Sequence, residues 1–133
     1  MSHPPKAFFF DGQVFDAHRF VSDLIRGAKQ RVVLFDNYVD DTTLALLDKR
    51  AEGVKAVIYT KKVTSSLNTD MQKHDTQYPP IEVHEFAQAH DRFLCIDDTV
   101  FHIGASLKDL GKKWFAFSRM EISAGMLLRK MKE

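Results

Sequence analysis

Two apolar runs and the segment between them limit the fold more than any other feature of the chain. Arg31 to Asp36 reads RVVLFD, a continuous β-branched and aromatic run without the alternation of a half-exposed strand. Such runs belong to strands buried on both faces, the pattern of a parallel sheet. Val54 to Thr60 is a second strand, and Asp40 or Asp41 can cap a helix between the two, with Leu44, Leu47 and Ala51 along one face and Gly53 as its stop. Strand, helix and strand make a βαβ unit, which commits the chain to an α/β fold.

The remaining segments extend that unit. Phe8-Phe9-Phe10 and an Asp11-Gly12 turn precede a helix opening at Asp16, with Val21, Leu24, Ile25 and Ala28 at i, i+3, i+4 and i+7. Ser65 or Ser66 can cap a third helix through about His74, closed by Tyr78-Pro79-Pro80 because proline disfavours helical geometry in the residue before it. Ile81 to Phe86 reads as a strand. Arg92 to Ile96 and Val100 to Ile103 flank Asp97-Asp98-Thr99 as a hairpin, and Phe115 to Glu121 is a further strand before a terminal helix from about Ser123. The expected architecture is α/β, a mixed, largely parallel sheet flanked by helices.

With 133 residues, residues 1–133 are expected to form one domain, and the abrupt ends suggest one cut from a longer protein. An apolar fraction of 44% and a charged fraction of 28% are those of a globular protein, and no apolar run reaches the roughly 18 residues of a membrane span. Met1 to Lys6 lacks a secretion-signal pattern and the lone Cys95 cannot form an internal disulfide, so a cytoplasmic location is the default expectation. A net charge of +1 argues against a uniformly basic coat, although local basic patches survive a neutral total.

The segment with the most chemistry is His90-Asp91-Arg92-Phe93-Leu94-Cys95-Ile96-Asp97, followed by Gly104-Ala105-Ser106. On a strand, side chains alternate between faces, so His90 and Arg92 are expected on one side, a base or nucleophile beside a phosphate clamp. The alternative for His90 is a structural histidine held by Asp91 or Asp97. Beyond the carboxyl ends of the parallel strands, Asn37, Tyr38, Lys61 and Lys62 are the next candidates, because ligands of open α/β sheets bind there. Tyr38 could stack on a base or sugar, and Lys61 or Lys62 could meet a phosphate, or all could form a solvated loop. Trp114, beside Lys112 and Lys113, is a second stacking candidate, or else a buried core or dimer-interface tryptophan. The remaining aromatic residues, among them Phe8, Phe10, Phe93 and Phe101, read mostly as core. His90, Asp97, Asp98 and His102 have no recognised metal-ligand spacing, and no metal is expected.

With His90, Arg92, Asp97 and Gly104 in place, the pattern resembles the phospholipase D superfamily signature HxKxxxxDxxxxxxGSxN. Arg92 stands at the lysine, Ala105 at the serine and Leu107 at the asparagine, while Glu121 falls loosely where many members carry a late acidic residue. The resemblance implies a fold of βα units followed by a motif-bearing hairpin. It further implies metal-independent and cofactor-free phosphodiester chemistry, in which His90 attacks phosphorus and a histidine from a second motif protonates the leaving oxygen. One motif per chain implies a homodimer. Arginine keeps the charge but changes its shape, and leucine removes a donor whose loss costs about 2.7–4 kcal/mol at a preorganised site. Ser106, Lys108 and Lys112 are near enough in sequence to substitute.

The expected function is an accessory or regulatory domain that binds a phosphate-containing ligand or nucleic-acid backbone and is catalytically weak or inactive. In it His90 and Arg92 contact the anion, Gly104 and Ser106 donate hydrogen bonds, and Asp97 orients the histidine or holds the turn. A working phosphodiesterase or nuclease acting as a homodimer is the first alternative. A protein-interaction module with an empty pocket is the second.

Overall fold

The computed structural model describes residues 6–132. In chain order the elements are β1 (Lys6–Phe9), α1 (Val14–Gly27), β2 (Arg31–Phe35), α2 (Asp41–Leu47), β3 (Lys55–Thr60), α3 (Ser65–Asp75), β4 (Glu82–Glu85), β5 (Arg92–Ile96), β6 (Thr99–Ile103), a 3₁₀ turn (Leu107–Asp109), β7 (Phe115–Ser123) and α4 (Ala124–Lys130). Seven strands form one sheet in the order β1-β7-β6-β5-β2-β3-β4.

The sheet is mixed, with helices against it, as the sequence pattern implies. Parallel pairing is confined to β2 with β3 and β3 with β4, where α2 and α3 provide the crossovers. The other pairings, β2 with β5, β5 with β6, β6 with β7 and β1 with β7, are antiparallel, so the expectation of a largely parallel sheet needs correcting. β5 already runs against β2, the β5–β6 turn is too short for a crossover and so reverses the chain again, and β7 and β1 extend this antiparallel half.

Local sequence explains the elements. β2 is buried along Val32 to Phe35 because it lies in the middle of the sheet. Asp40 caps α2 through a capping box, accepting from the Thr43 backbone while the Thr43 side chain returns to the Asp40 N–H. Thr64 caps α3 by accepting from Leu67 N–H.

The two sheet faces are unequal. On one, Val32, Leu34, Leu94, Ile96, Phe101, Ile103 and Phe117 pack with Ala17, Val21, Leu24 and Ile25 of α1 and Leu44 and Leu47 of α2. On the other, a smaller cluster of Val33, Phe35, Val57, Cys95 and Val100 meets Leu127, Leu128 and Met131 at the C-terminal end of the chain. Alternation along β5 therefore sends Arg92, Leu94 and Ile96 toward the α1–α2 face, and Phe93 and Cys95 toward the α4 face. Burial raises the Cys95 thiol to about 12, which leaves it a packing residue. Among the described residues no helix is long and apolar enough to cross a membrane.

Candidate functional site

The sequence RVVLFD ends in a carboxylate that the fold buries. Asp36 follows β2 directly and is 2% exposed. Its Oδ1 accepts from Ser106 Oγ at 2.7 Å and from Tyr38 N–H at 3.0 Å, and its Oδ2 accepts from Leu107 N–H at 3.0 Å. Burial pushes its pKa above the ordinary carboxylate value, against those hydrogen bonds and the nearby Arg92 charge. Asp36 thus ties the end of β2 to the 3₁₀ turn, and the groove described next lies beside this tie.

That groove, of about 510 Å³, is lined by Tyr38, Arg92, Gly104, Ala105, Ser106, Asp109, Lys112, Lys113 and Trp114. Arg92 Nη2 donates to Gly104 C=O at 3.0 Å, which fixes the guanidinium at the end of β6. Its Nε is buried without a hydrogen-bond partner, so the fork is under-satisfied. Lys112 Nζ reaches Asp109 at 3.0 Å. Three cations against the Asp109 carboxylate and the buried Asp36 leave an anion-attracting groove walled by two exposed aromatic rings.

His90 lies elsewhere. It precedes β5 in an irregular segment, where strand alternation does not apply, and it lines a second cavity of about 360 Å³ with Phe35, Phe86, Phe93, Leu127 and Met131 on the α4 face. His90 and Arg92 therefore line different cavities. Asp91 faces His102 at 3.5 Å across β5 and β6.

Asp97 stands at the far end of β5 from Arg92, in the hairpin turn, with φ of 53°. Its carboxylate accepts from the N–H groups of Lys29, Gln30 and Arg31. Although burial opposes ionisation, those donors hold its pKa below the ordinary value. It holds the turn, as one part of the expectation had it, and does not touch His90. Glu121 is exposed toward the same hairpin end of β7, where Ser123 pairs with Thr99, and so is remote from Arg92.

The remaining candidates divide. Ser106 lines the groove, but its hydroxyl is bonded to Asp36. Gly104 N–H donates to Ala116 C=O at 2.9 Å and is not available to an anion. A β-carbon at Gly104 would lie 3.2 Å from that oxygen, a tight contact with the β7 backbone. Leu107 points into the core, and Lys108 pairs with Asp109 at 3.2 Å without lining the groove. Asn37 bridges segments, accepting from Lys61 N–H at 3.0 Å and donating to Ala89 C=O at 3.4 Å. Lys61 is exposed beyond β3, away from the groove lining. Tyr38 and Trp114 are in the groove and exposed. Trp114 is thus not a core residue, and Phe8 and Phe10 are likewise exposed where the sequence suggested core.

Sequence reasoning missed Asp36, whose signal was a lone acidic residue closing a wholly apolar run. Among the described residues no group of three or more His, Cys, Asp or Glu side chains is placed to hold a metal ion.

The fold is phospholipase D-like. NucT from Helicobacter pylori superposes with a TM-score of 0.64 at 14% identity, over 96% of this chain and 91% of its own. A phosphatidylserine synthase from Haemophilus influenzae Rd KW20 gives 0.60 at 18% identity, over 89% of this chain and 34% of that one. TrmBL2, an archaeal chromatin protein with a novel mode of DNA binding, gives 0.57 at 14% identity, over 99% of this chain and 49% of its own. No protein-family model and no curated protein matches the sequence.

Proposed function

We propose that this phospholipase D-like domain binds the phosphates of a nucleic-acid backbone, or of another phosphate-bearing ligand, in the Arg92 groove, as an accessory or regulatory module with weak or no hydrolytic activity. The observation that carries the reading is the separation of functions across β5. Arg92, Lys112 and Lys113 line one cavity and His90 lines another. No histidine is among the residues that line the groove, and attack on phosphorus needs one in place, whereas binding a phosphate needs only the cations. DNA binding by TrmBL2, a protein of similar fold, is in keeping with this ligand class.

Labelled oligonucleotides with excess chelator test the proposal. Three phosphate contacts give a slope of log affinity against log salt of about −2 on single strands. Arg92→Ala is expected to weaken binding by roughly ten-fold or more, as for a charged hydrogen bond of about 1.5–3 kcal/mol, and to flatten the slope. His90→Ala is expected to change neither affinity nor slope. Unchanged affinity in Arg92→Ala would remove the groove as the site. Cleavage by the wild type that His90→Ala loses would replace the proposal with a histidine phosphodiesterase.

A further inference from the structure

The two aromatic rings in the groove are not needed to bind phosphate, and neither is buried in the core. Trp114 is 63% exposed and Tyr38 62% exposed, although large aromatic side chains normally contribute through burial. Both line the same groove as Arg92, Lys112 and Lys113.

Trp114 is also held in place. Its Nε1–H donates to Asp11 Oδ1 at 2.9 Å. Its ring meets Phe10 edge to face at 4.9 Å and 86°, and Phe8 at 6.0 Å and 80°. Phe8 and Phe10 pack on each other at 5.1 Å. Just before it, Gly111 adopts φ of +79° in close approach to the start of α1, and Gly12 N–H donates to Gly111 C=O at 3.1 Å. The segment carrying Lys112, Lys113 and Trp114 is therefore anchored at Gly111 and at the indole. An exposed ring fixed by a hydrogen bond and two aromatic neighbours is a preorganised stacking surface, since little side-chain freedom remains to be lost on binding.

We infer that the groove takes single-stranded nucleic acid, with bases stacked on Trp114 and Tyr38 while Arg92, Lys112 and Lys113 hold the phosphates. This rests on the phosphate-binding function proposed above and names its ligand. In a duplex the base faces are stacked on one another, and side-chain rings reach them only where a strand is open. Stacking is tolerant of sequence because every base has a π-face, and cations alternating with aromatic platforms are the usual composition of single-strand grooves.

Trp114 is the only tryptophan of the chain, so its fluorescence reports on this position without mutation. The wild type is titrated with a thymidine 12-mer, a uridine 12-mer, a duplex of equal length, and a base-free deoxyribose-phosphate 12-mer of equal charge. Quenching of Trp114 by the thymidine and uridine strands is expected, with affinity about ten-fold or more above that for the base-free strand and above that for the duplex. The first two arms separate DNA from RNA as the source of the strand. By anisotropy, Tyr38→Ala is expected to lose about five-fold or more for the thymidine strand and nothing for the base-free one, and Trp114→Ala to lose more for the thymidine strand than for the base-free one. Equal binding of the base-free and thymidine strands without quenching overturns base stacking and leaves phosphate binding intact. Preference for the duplex overturns the single-strand assignment. Binding of none of the four overturns this inference and the proposed function together.

Discussion

Replacing Asp97 by alanine is expected to unfold the protein more easily and to leave ligand binding unchanged. The carboxylate accepts from Lys29 N–H at 3.0 Å, Gln30 N–H at 2.7 Å and Arg31 N–H at 3.1 Å, and so ties the β5–β6 hairpin to the α1–β2 connection. Hydrogen bonds to a charged group contribute about 1.5–3 kcal/mol each and neutral ones about 0.5–1.5. The bonds to Lys29 and Gln30 are at the surface, so a value near 1 kcal/mol each is appropriate, giving roughly 3 kcal/mol for Asp97→Ala. Alanine also lacks the local hydrogen bonding that lets aspartate tolerate φ of 53°. Asp97→Asn retains an oxygen where Oδ1 meets Gln30 and Arg31 and is expected to lose about 1 kcal/mol. Urea unfolding at pH 7 measures this, and with a slope of about 1.5–2 kcal/mol per molar the midpoint of Asp97→Ala falls by roughly 1.5–2 M. Because the folded pKa lies below the ordinary 3.8, this stabilisation is present above that value and is lost as pH falls through the lower folded value. The gap between wild type and variant therefore narrows in acid. An unchanged midpoint would refute the argument. So would a fully stable Asp97→Ala that no longer binds oligonucleotide, since that would return Asp97 to the site.

Two further outcomes follow from the same kind of reasoning. His74 is flanked by Asp75 and Asp48 at 2.8 and 2.7 Å, and although burial opposes its charge, those partners raise its pKa above 6.5. Its stabilisation is complete below the unfolded value and is lost as pH rises through the folded one. Urea midpoints between pH 5.5 and 8.5 are accordingly expected to fall in the wild type and to flatten in His74→Gln. Gly111→Ala would set a β-carbon 2.5 Å from the Val14 Cα at a positive φ, and a loss of about 2 kcal/mol or more in thermal or urea unfolding is expected. An unchanged midpoint there would mean that the 111–114 segment is not anchored on α1.

The sequence made the elements legible because their signals are local. The Asp40 cap, one of the two offered, the apolar spacing Val21, Leu24, Ile25, and the Tyr78-Pro79-Pro80 stop each act within one or two turns of chain, and the first three helices lie where these signals put them. The phospholipase D-like fold was legible for the same reason, through motif spacing along a hairpin. The site was only partly so. Asp36 and Ser106 are 70 positions apart, and nothing in either local pattern announces their bond. His90 was assigned to the Arg92 face by extending strand alternation two residues beyond the start of β5, where the backbone is no longer extended in register. Asp97 was weighed as an orienter of the histidine because spacing along a chain does not show that five strand residues place the two ends of β5 far apart.

The lining of separate cavities by His90 and Arg92 bears more on the proposed chemistry than the residue changes in the motif do. An arginine can still hold a phosphate, and a lost donor slows a reaction without forbidding it. Attack by a histidine, in contrast, needs its nitrogen about 3–3.5 Å from phosphorus and in line with the leaving group. Arg92 is committed to the α1–α2 side by the same alternation that buries Leu94 and Ile96 there, and His90 lies against Phe93 on the other side. The segment that carries His90 is held by the contact of Ala89 C=O with Asn37 and by the packing of Phe86 on Phe35 and Tyr59. The groove, by comparison, has its cations and aromatic rings in one lining. Its cation is pinned by Gly104 C=O, and the 3₁₀ turn beside it is tied to β2 by Asp36. The proposed binding thus draws on residues that line one groove, whereas the histidine chemistry of the signature would have to draw on a second cavity as well.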